Sequence, residues 1–152
     1  MSLQYESPEF SEELKKRLNA NATYREKAKG MSWKILMIVK DVPFAVSSTY
    51  ADGELVERKH IPSSEIEEQR KKGDFTIEIP TFDLSIEMAM GKKSLESLFM
   101  GRMIKLDGSI FKALKYRDAM ELTAKTTAEL ANASVIQSKE EFTKMLRERG
   151  LL

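Results

Sequence analysis

Phe10, Leu14 and Leu18 recur at helical spacing behind Ser7-Pro8, so the first element to expect is an amphipathic helix. Ser7 suits its N-cap, and Pro8 suits the first turn, where a backbone N–H has no helical partner to lose. Asn19 and Asn21 predict a break or a second short helix, ended by Gly30. The period then changes. Residues 33–40 and 44–51 are rich in β-branched and aromatic side chains and predict two strands, separated by Asp41-Val42-Pro43. Asp52-Gly53 sits where a two-residue hairpin turn needs two positive φ values, and residues 54–60 complete an antiparallel meander. Residues 63–73 are polar throughout and predict a short exposed helix or loop. Phe75, Ile77 and Ile79 alternate with Thr76 and Glu78 in a fourth strand.

Helical spacing returns with Phe82, Ile86 and Met90, stopped at Gly91, and a second short helix is expected over residues 94–100. A last strand is predicted over 102–107. Ser109 should cap a longer helix that breaks near Tyr116-Arg117-Asp118 and continues through Ala131. Ser138 and Glu141 make a capping box for a terminal helix carrying Phe142, Met145 and Leu146. No repeat, low-complexity tract or linker interrupts the chain, which predicts one domain over residues 1–152. Residues 1–3 read partly as an expression scar. Strands that cluster instead of alternating with helices point to an α+β fold, with a mostly antiparallel sheet and helices on one face.

Composition narrows the classes. At 152 residues, 41% hydrophobic and 32% charged, the chain is globular and large enough for a core, burying roughly 70% of its unfolded surface. It has no cysteine, which excludes disulfides, thiolate catalysis and cysteine-held metals. A net charge of +1 argues against a nucleic-acid partner. No window reaches the roughly 18 apolar residues of a transmembrane helix, so an integral membrane protein is not expected. The N-terminus lacks the basic and apolar regions of a signal peptide, and the terminal Gly150-Leu151-Leu152 is not a peroxisomal address. A cytoplasmic location is the default expectation.

Chemistry is sparse. His60 is the only histidine, set beside Arg58 and Lys59 in a context that reads as surface, and it is expected to be an ordinary exposed side chain. No serine stands in a nucleophile elbow, and Ser63, Ser94 and Ser109 read as helix caps. The glycines form no phosphate-binding motif. Glu67 and Lys71 could pair at i, i+4 on a solvated face. Asp83 and Glu87 share that spacing but have no matching ligands elsewhere, so neither a metal nor a cofactor is expected.

The apolar inventory carries more. Residues 97–116, SLFMGRMIKLDGSIFKALKY, hold nine large apolar side chains around two glycines. Met88, Met90, Met100, Met103 and Met120 fall nearby, and methionine both fills irregular cores and lines surfaces that accept varied apolar ligands. For any one of these residues core packing is the simpler reading. Together, two short helices, a strand and a longer helix bring apolar faces to one place, and a slot between sheet and helices is one arrangement. Periodicity does not distinguish a filled slot from an open one. Phe82, Ile86, Met90, Met103 and Met120 are the wall residues this pattern suggests.

The same stretch resembles the late signature of the sterol carrier protein 2 family: Phe99-Met100, Gly101-Arg102, Ile104-Lys105-Leu106, Gly108-Ser109, then Phe111, Lys112, Ala113 and Leu114. The upstream order is similar, with FSEELKKRLNAN, a Trp at the first strand, a meander and the TIEIP strand. The likeness in order covers about residues 8–131; the motif covers about twenty. Six residues separate Gly101 from Gly108, one more than the family's usual spacing, and Ser109 stands where an acid is common. SSEIEEQRKK and the tail from Gln137 lie outside the resemblance. It implies a five-stranded sheet covered by helices around an apolar tunnel, lined or closed by Phe99, Met100, Ile104, Leu106, Phe111 and Leu114. It also implies non-enzymatic binding and transfer of a sterol, fatty acid or fatty acyl-CoA.

A lipid-binding domain is thus the leading expectation. A protein-interaction module using the same apolar face, a homodimer included, is the alternative. An enzyme, dependent on His60 or carboxylates alone, comes third.

Overall fold

In the computed structural model, which describes residues 3–152, the meander forms as the pattern requires. Of the suspected expression scar, Met1 and Ser2 lie outside the described residues, whereas Leu3 packs against the core. Strands β1 (Trp33–Val39), β2 (Phe44–Ala51) and β3 (Glu54–Ile61) pair antiparallel. Asp52 and Gly53 have φ of 48° and 84°, the two positive values a tight hairpin of this hand demands. Gly53 is obligatory on a second count, since a Cβ there would lie 2.6 Å from the Ala28 carbonyl oxygen. β4 (Phe75–Ile79) runs parallel to β1, and β5 (Lys105–Gly108) pairs antiparallel with β4. The order is β3-β2-β1-β4-β5, a five-stranded sheet with one parallel pair. The fold is α+β, its sheet mostly antiparallel.

Two helices at the start, α1 (Pro8–Ala20) and α2 (Ala22–Lys27), share Asn21 as C-cap and N-cap, which is how the chain makes the predicted break. α3 (Ile66–Lys72) follows a 3-10 turn over Ser63–Glu65. Next come α4 (Phe82–Ala89), α5 (Leu95–Met100), α6 (Ile110–Lys115), α7 (Arg117–Asn132) and α8 (Lys139–Glu148). Ser138 and Glu141 form the expected capping box. Trp33, Val39, Phe44, Val46, Tyr50, Phe75, Ile77 and Ile79 alternate onto one face of the sheet, where every helix except α3 contributes to the main core.

α3 lies on the opposite face. The connection from edge strand β3 to β4, beyond β1, has to cross the sheet because β4 is parallel to β1. Ile66 covers a small apolar cluster of Leu36, Ile38, Ala45 and Ile61 there. Lys34 Nζ donates to Gln69 at 3.1 Å, and Arg70 pairs with Glu78 at 2.6 Å. The Arg70 guanidinium holds the Glu78 carboxyl below the usual carboxylate range. The expected Glu67–Lys71 pair is not what forms; Glu67 meets Arg70 at 3.5 Å and Glu68 meets Lys72 at 3.1 Å.

His60 corrects the surface reading. A register shift at Thr49/Tyr50 places Leu55 opposite Tyr50, leaves Val56 39% exposed, and keeps Arg58 and His60 on the same face as Val46. α1 and residues 5–7 cover that face. His60 is 8% exposed, its Nε2 donating to the Glu6 carbonyl at 2.6 Å, its ring stacked on Phe44 at 6.1 Å. Burial pushes its pKa down. Arg58 joins the same knot, donating to Glu6 at 2.8 Å and to Ser11 at 2.7 Å.

Candidate functional site

Ser94 caps α5 by accepting from the Ser97 N–H at 3.1 Å. At the other end of α5, Arg102 N–H bonds Phe99 O at 3.0 Å and Met103 N–H bonds Leu98 O at 2.9 Å. These two bonds are a Schellman turn, which places its fifth residue in the left-handed region. That residue is Arg102, with φ of 58°, while Gly101 beside it keeps φ of −80°. The strand was expected from residue 102, but this turn delays β5 to Lys105–Gly108. The turn runs from Leu98 to Met103, and its last two residues open the interval between the two glycines.

Gly108 then closes β5 instead of forming a turn beyond it. It sits opposite Phe75, with φ of 115°, where a Cβ would fall 2.3 Å from the Asp74 carbonyl oxygen. Only glycine fits. Ser109 follows, its N–H bonded to that same carbonyl at 3.2 Å and its Oγ accepting from the Lys112 N–H at 3.3 Å to start α6. Arg117 ties the start of α7 back to Glu96 of α5 at 3.2 Å. α5, β5 and α6 therefore form one strapped segment at the free edge of the sheet.

The segment turns few of its apolar side chains inward. Leu98 and Ile104 are buried, and Leu106, opposite Ile77, packs half-buried against the core. Phe99, Met100, Met103, Ile110, Phe111 and Leu114 are exposed, by 42, 76, 47, 44, 88 and 65% respectively. Eight large apolar side chains are exposed among the described residues, and these six fall within sixteen residues of chain.

Two solved structures share the fold over most of the length of this chain. Sterol carrier protein 2 superposes with a TM-score of 0.69 at 20% identity, covering 81% of this chain and 96% of its own. A Thermus thermophilus protein described as possibly a sterol carrier protein gives 0.70 at 20% identity, covering 88% and 92%. The chain has the sterol carrier protein 2 fold. A more distant likeness, at a TM-score of 0.52 and 13% identity, is to the UbiJ-SCP2 ubiquinone synthesis protein, covering 76% of this chain and 92% of that one. No protein-family model matches the chain, and no curated protein is significantly similar to it in sequence.

On this sterol-carrier fold the eleven residues expected to form a wall divide into three groups. Phe82 and Ile104 are core, 1% and 6% exposed. The Phe82 ring stacks on Phe142 at 4.6 Å, so a side chain from α8, in the tail that the sequence resemblance did not cover, occupies the space in front of it. Ile86 and Met90 around α4, Leu106 on β5 and Met120 on α7 are half-buried and pack against the same core. Phe99, Met100, Met103, Phe111 and Leu114 face solvent.

Two open surface hollows lie elsewhere. One is lined by α8 residues including Lys139 and Arg147, the other by Leu3, Pro8, Glu9, Glu12, Glu13, Lys16 and Arg149. Neither touches any of the eleven. Sequence reasoning overlooked Ile110 as a site residue, although its place after the Ser109 cap put it on the first turn of α6. Among the described residues no group of three or more His, Asp or Glu is arranged to hold a metal ion, and no helix is long and apolar enough to cross a membrane.

Proposed function

We propose that the chain binds an apolar lipid (a sterol, a fatty acid or a fatty acyl-CoA) at the α5–β5–α6 segment and carries it as cargo. The observation that supports this most is the concentration of six exposed apolar side chains on one strapped segment of a sterol-carrier fold. Ile86, Met90, Leu106 and Met120 would form the inner wall against the core. Phe99, Met100, Met103, Phe111 and Leu114 would close over the ligand from outside. Each acyl methylene removed from water contributes about 0.8 kcal/mol, so affinity should follow chain length more than head group. In this reading the domain does no chemistry of its own, and its place of work is the cytoplasm.

Organic extraction of the purified protein followed by mass spectrometry should release a bound lipid. Titration with a fluorescent fatty acid or a fluorescent sterol in vesicle-free buffer should saturate. An empty extract together with no saturable binding of either probe contradicts the proposal. The outward aim of Phe111 and Leu114 also fits a module that docks a second protein or a second copy of the chain. Light scattering on a size-exclusion column separates the readings, because a lipid-carrying monomer leaves the apolar face to its ligand.

A further inference from the structure

The same segment is charged as distinctively as it is apolar. Between residues 92 and 117 stand seven basic side chains and only two acidic ones, Glu96 and Asp107. The net charge of the whole chain is +1, so the remaining residues are on balance acidic and the positive surplus is local. Lys93, Lys112 and Arg117 have acidic partners at 3.1, 3.8 and 3.2 Å. Lys92, Arg102 and Lys115 have none within ion-pair distance among the described residues, whereas Lys105 lies across from Glu78 on β4. Exposed Phe, Leu and Met interspersed along the chain with unpaired cations is the composition that settles into the headgroup region of an anionic bilayer.

Arg102 adds a second observation. The Schellman turn needs one left-handed residue, and glycine would take that conformation without cost. Gly101 is adjacent but holds negative φ, and the left-handed place goes to an arginine at φ of 58°. A side chain kept at a backbone position that disfavours it points to use of the side chain. Here it holds a guanidinium beside exposed Met100 and Met103.

We propose that the α5–β5–α6 segment docks on an anionic phospholipid membrane, with Met100, Phe111 and Leu114 entering the interface and Lys92, Arg102 and Lys115 facing the phosphates. A second copy of the chain is the poorer occupant, because apposing two such surfaces brings like charges together. The proposal goes beyond lipid cargo: the side chains that would close over a ligand are the ones that enter the bilayer when none is bound.

The test is sedimentation of the purified chain with vesicles of neutral phosphatidylcholine, or of phosphatidylcholine with one-third phosphatidylglycerol, at rising salt. Binding should occur on the anionic vesicles alone and weaken as salt screens the charges. Arg102→Gly should lower the partition coefficient about fivefold, while its melting temperature equals or exceeds that of the wild type. A Phe111→Ser/Leu114→Ser variant should stay in the supernatant with an unchanged melting temperature. Equal binding to neutral vesicles, full binding by Arg102→Gly, or no binding to either vesicle overturns the proposal. So does a stable dimer in place of vesicle binding. Because this assay needs no cargo, its failure leaves the vesicle-free ligand titration to decide the lipid-carrier reading separately.

Discussion

Tyr5, Phe10, Phe44, Phe82 and Phe142 interlock on the helical face of the sheet, with ring centroids 4.6 to 6.4 Å apart. On the α5–β5–α6 segment, Phe99 and Phe111 are 42% and 88% exposed. The residue types are alike and their uses are opposite. In the aromatic cluster, rings from residues 5–7, α1, β2, α4 and α8 meet edge-on, tilted or stacked, which contributes both burial and ring–ring geometry. In the segment, Leu98, Ile104 and Leu106 anchor the chain with Leu95 and Ala113 packed beside them, and the six exposed apolar side chains remain available to something outside the fold. Apolar composition therefore does not decide which half is core. The number of elements that converge on a side chain does.

The comparison breaks first under truncation. Phe142→Ala removes a fully buried ring from the cluster and should cost about 3–5 kcal/mol in urea unfolding. Phe111→Ala should stay within about 0.5 kcal/mol of the wild type. Equal losses would mean that α6 is part of the core after all. Next in size, Arg58→Ala leaves the Glu6 carboxylate buried without its cation and should cost about 3 kcal/mol. A smaller loss in the same unfolding assay would show that the strap over residues 5–7 opens cheaply to water.

Much of this architecture was legible in the sequence, for identifiable reasons. Period and caps located the strands and helices: Ser7, Ser94, Ser109 and Ser138 cap helices through their side chains as expected, and Asn21 caps α2 at the expected break, whereas Ser63 caps neither the 3-10 turn nor α3. Asp52-Gly53 gave its hairpin because its two residue types tolerate the φ values needed. Three features were not legible. The start of β5 moved because a helix-ending turn can recruit Arg102 against the usual glycine preference. His60 was hidden by a register shift between β2 and β3, which no local pattern announces. The pairing of Phe82 with Phe142 joins residues sixty positions apart, and helical spacing within each element says nothing about which ring fills the other's space.

Gly108→Ala should cost about 2 kcal/mol, since alanine at φ of 115° is strained and its Cβ meets the Asp74 carbonyl. Amide exchange should quicken in β5 and the start of α6 while the aromatic cluster stays protected. Fast exchange in both regions would show that they unfold as one unit, which the comparison denies.

The smallest expected effect is a pH dependence confined to the strap. His60 is buried and neutral, with a pKa depressed below its ordinary 6.5. The unfolded chain thus takes up a proton that the folded chain resists. The stability from this site is fully present above about pH 6.5 and is lost as pH falls through the lower folded value. Glu6, Arg58 and Arg149 surround the ring; Glu6 opposes the depression and the two arginines add to it. Urea midpoints between pH 7.5 and 5.5 should decline in the wild type and decline less in His60→Gln. Identical slopes would remove His60 as the cause.

Hydrogen exchange with and without a saturating fatty acid or sterol, in vesicle-free buffer, tests the central claim most directly. The account predicts that ligand slows exchange in α5, β5, α6 and the first turns of α7, with the amides of α1, β2 and α8 unchanged. Protection absent from that segment, or concentrated around the aromatic cluster or the α8 hollow instead, would contradict it.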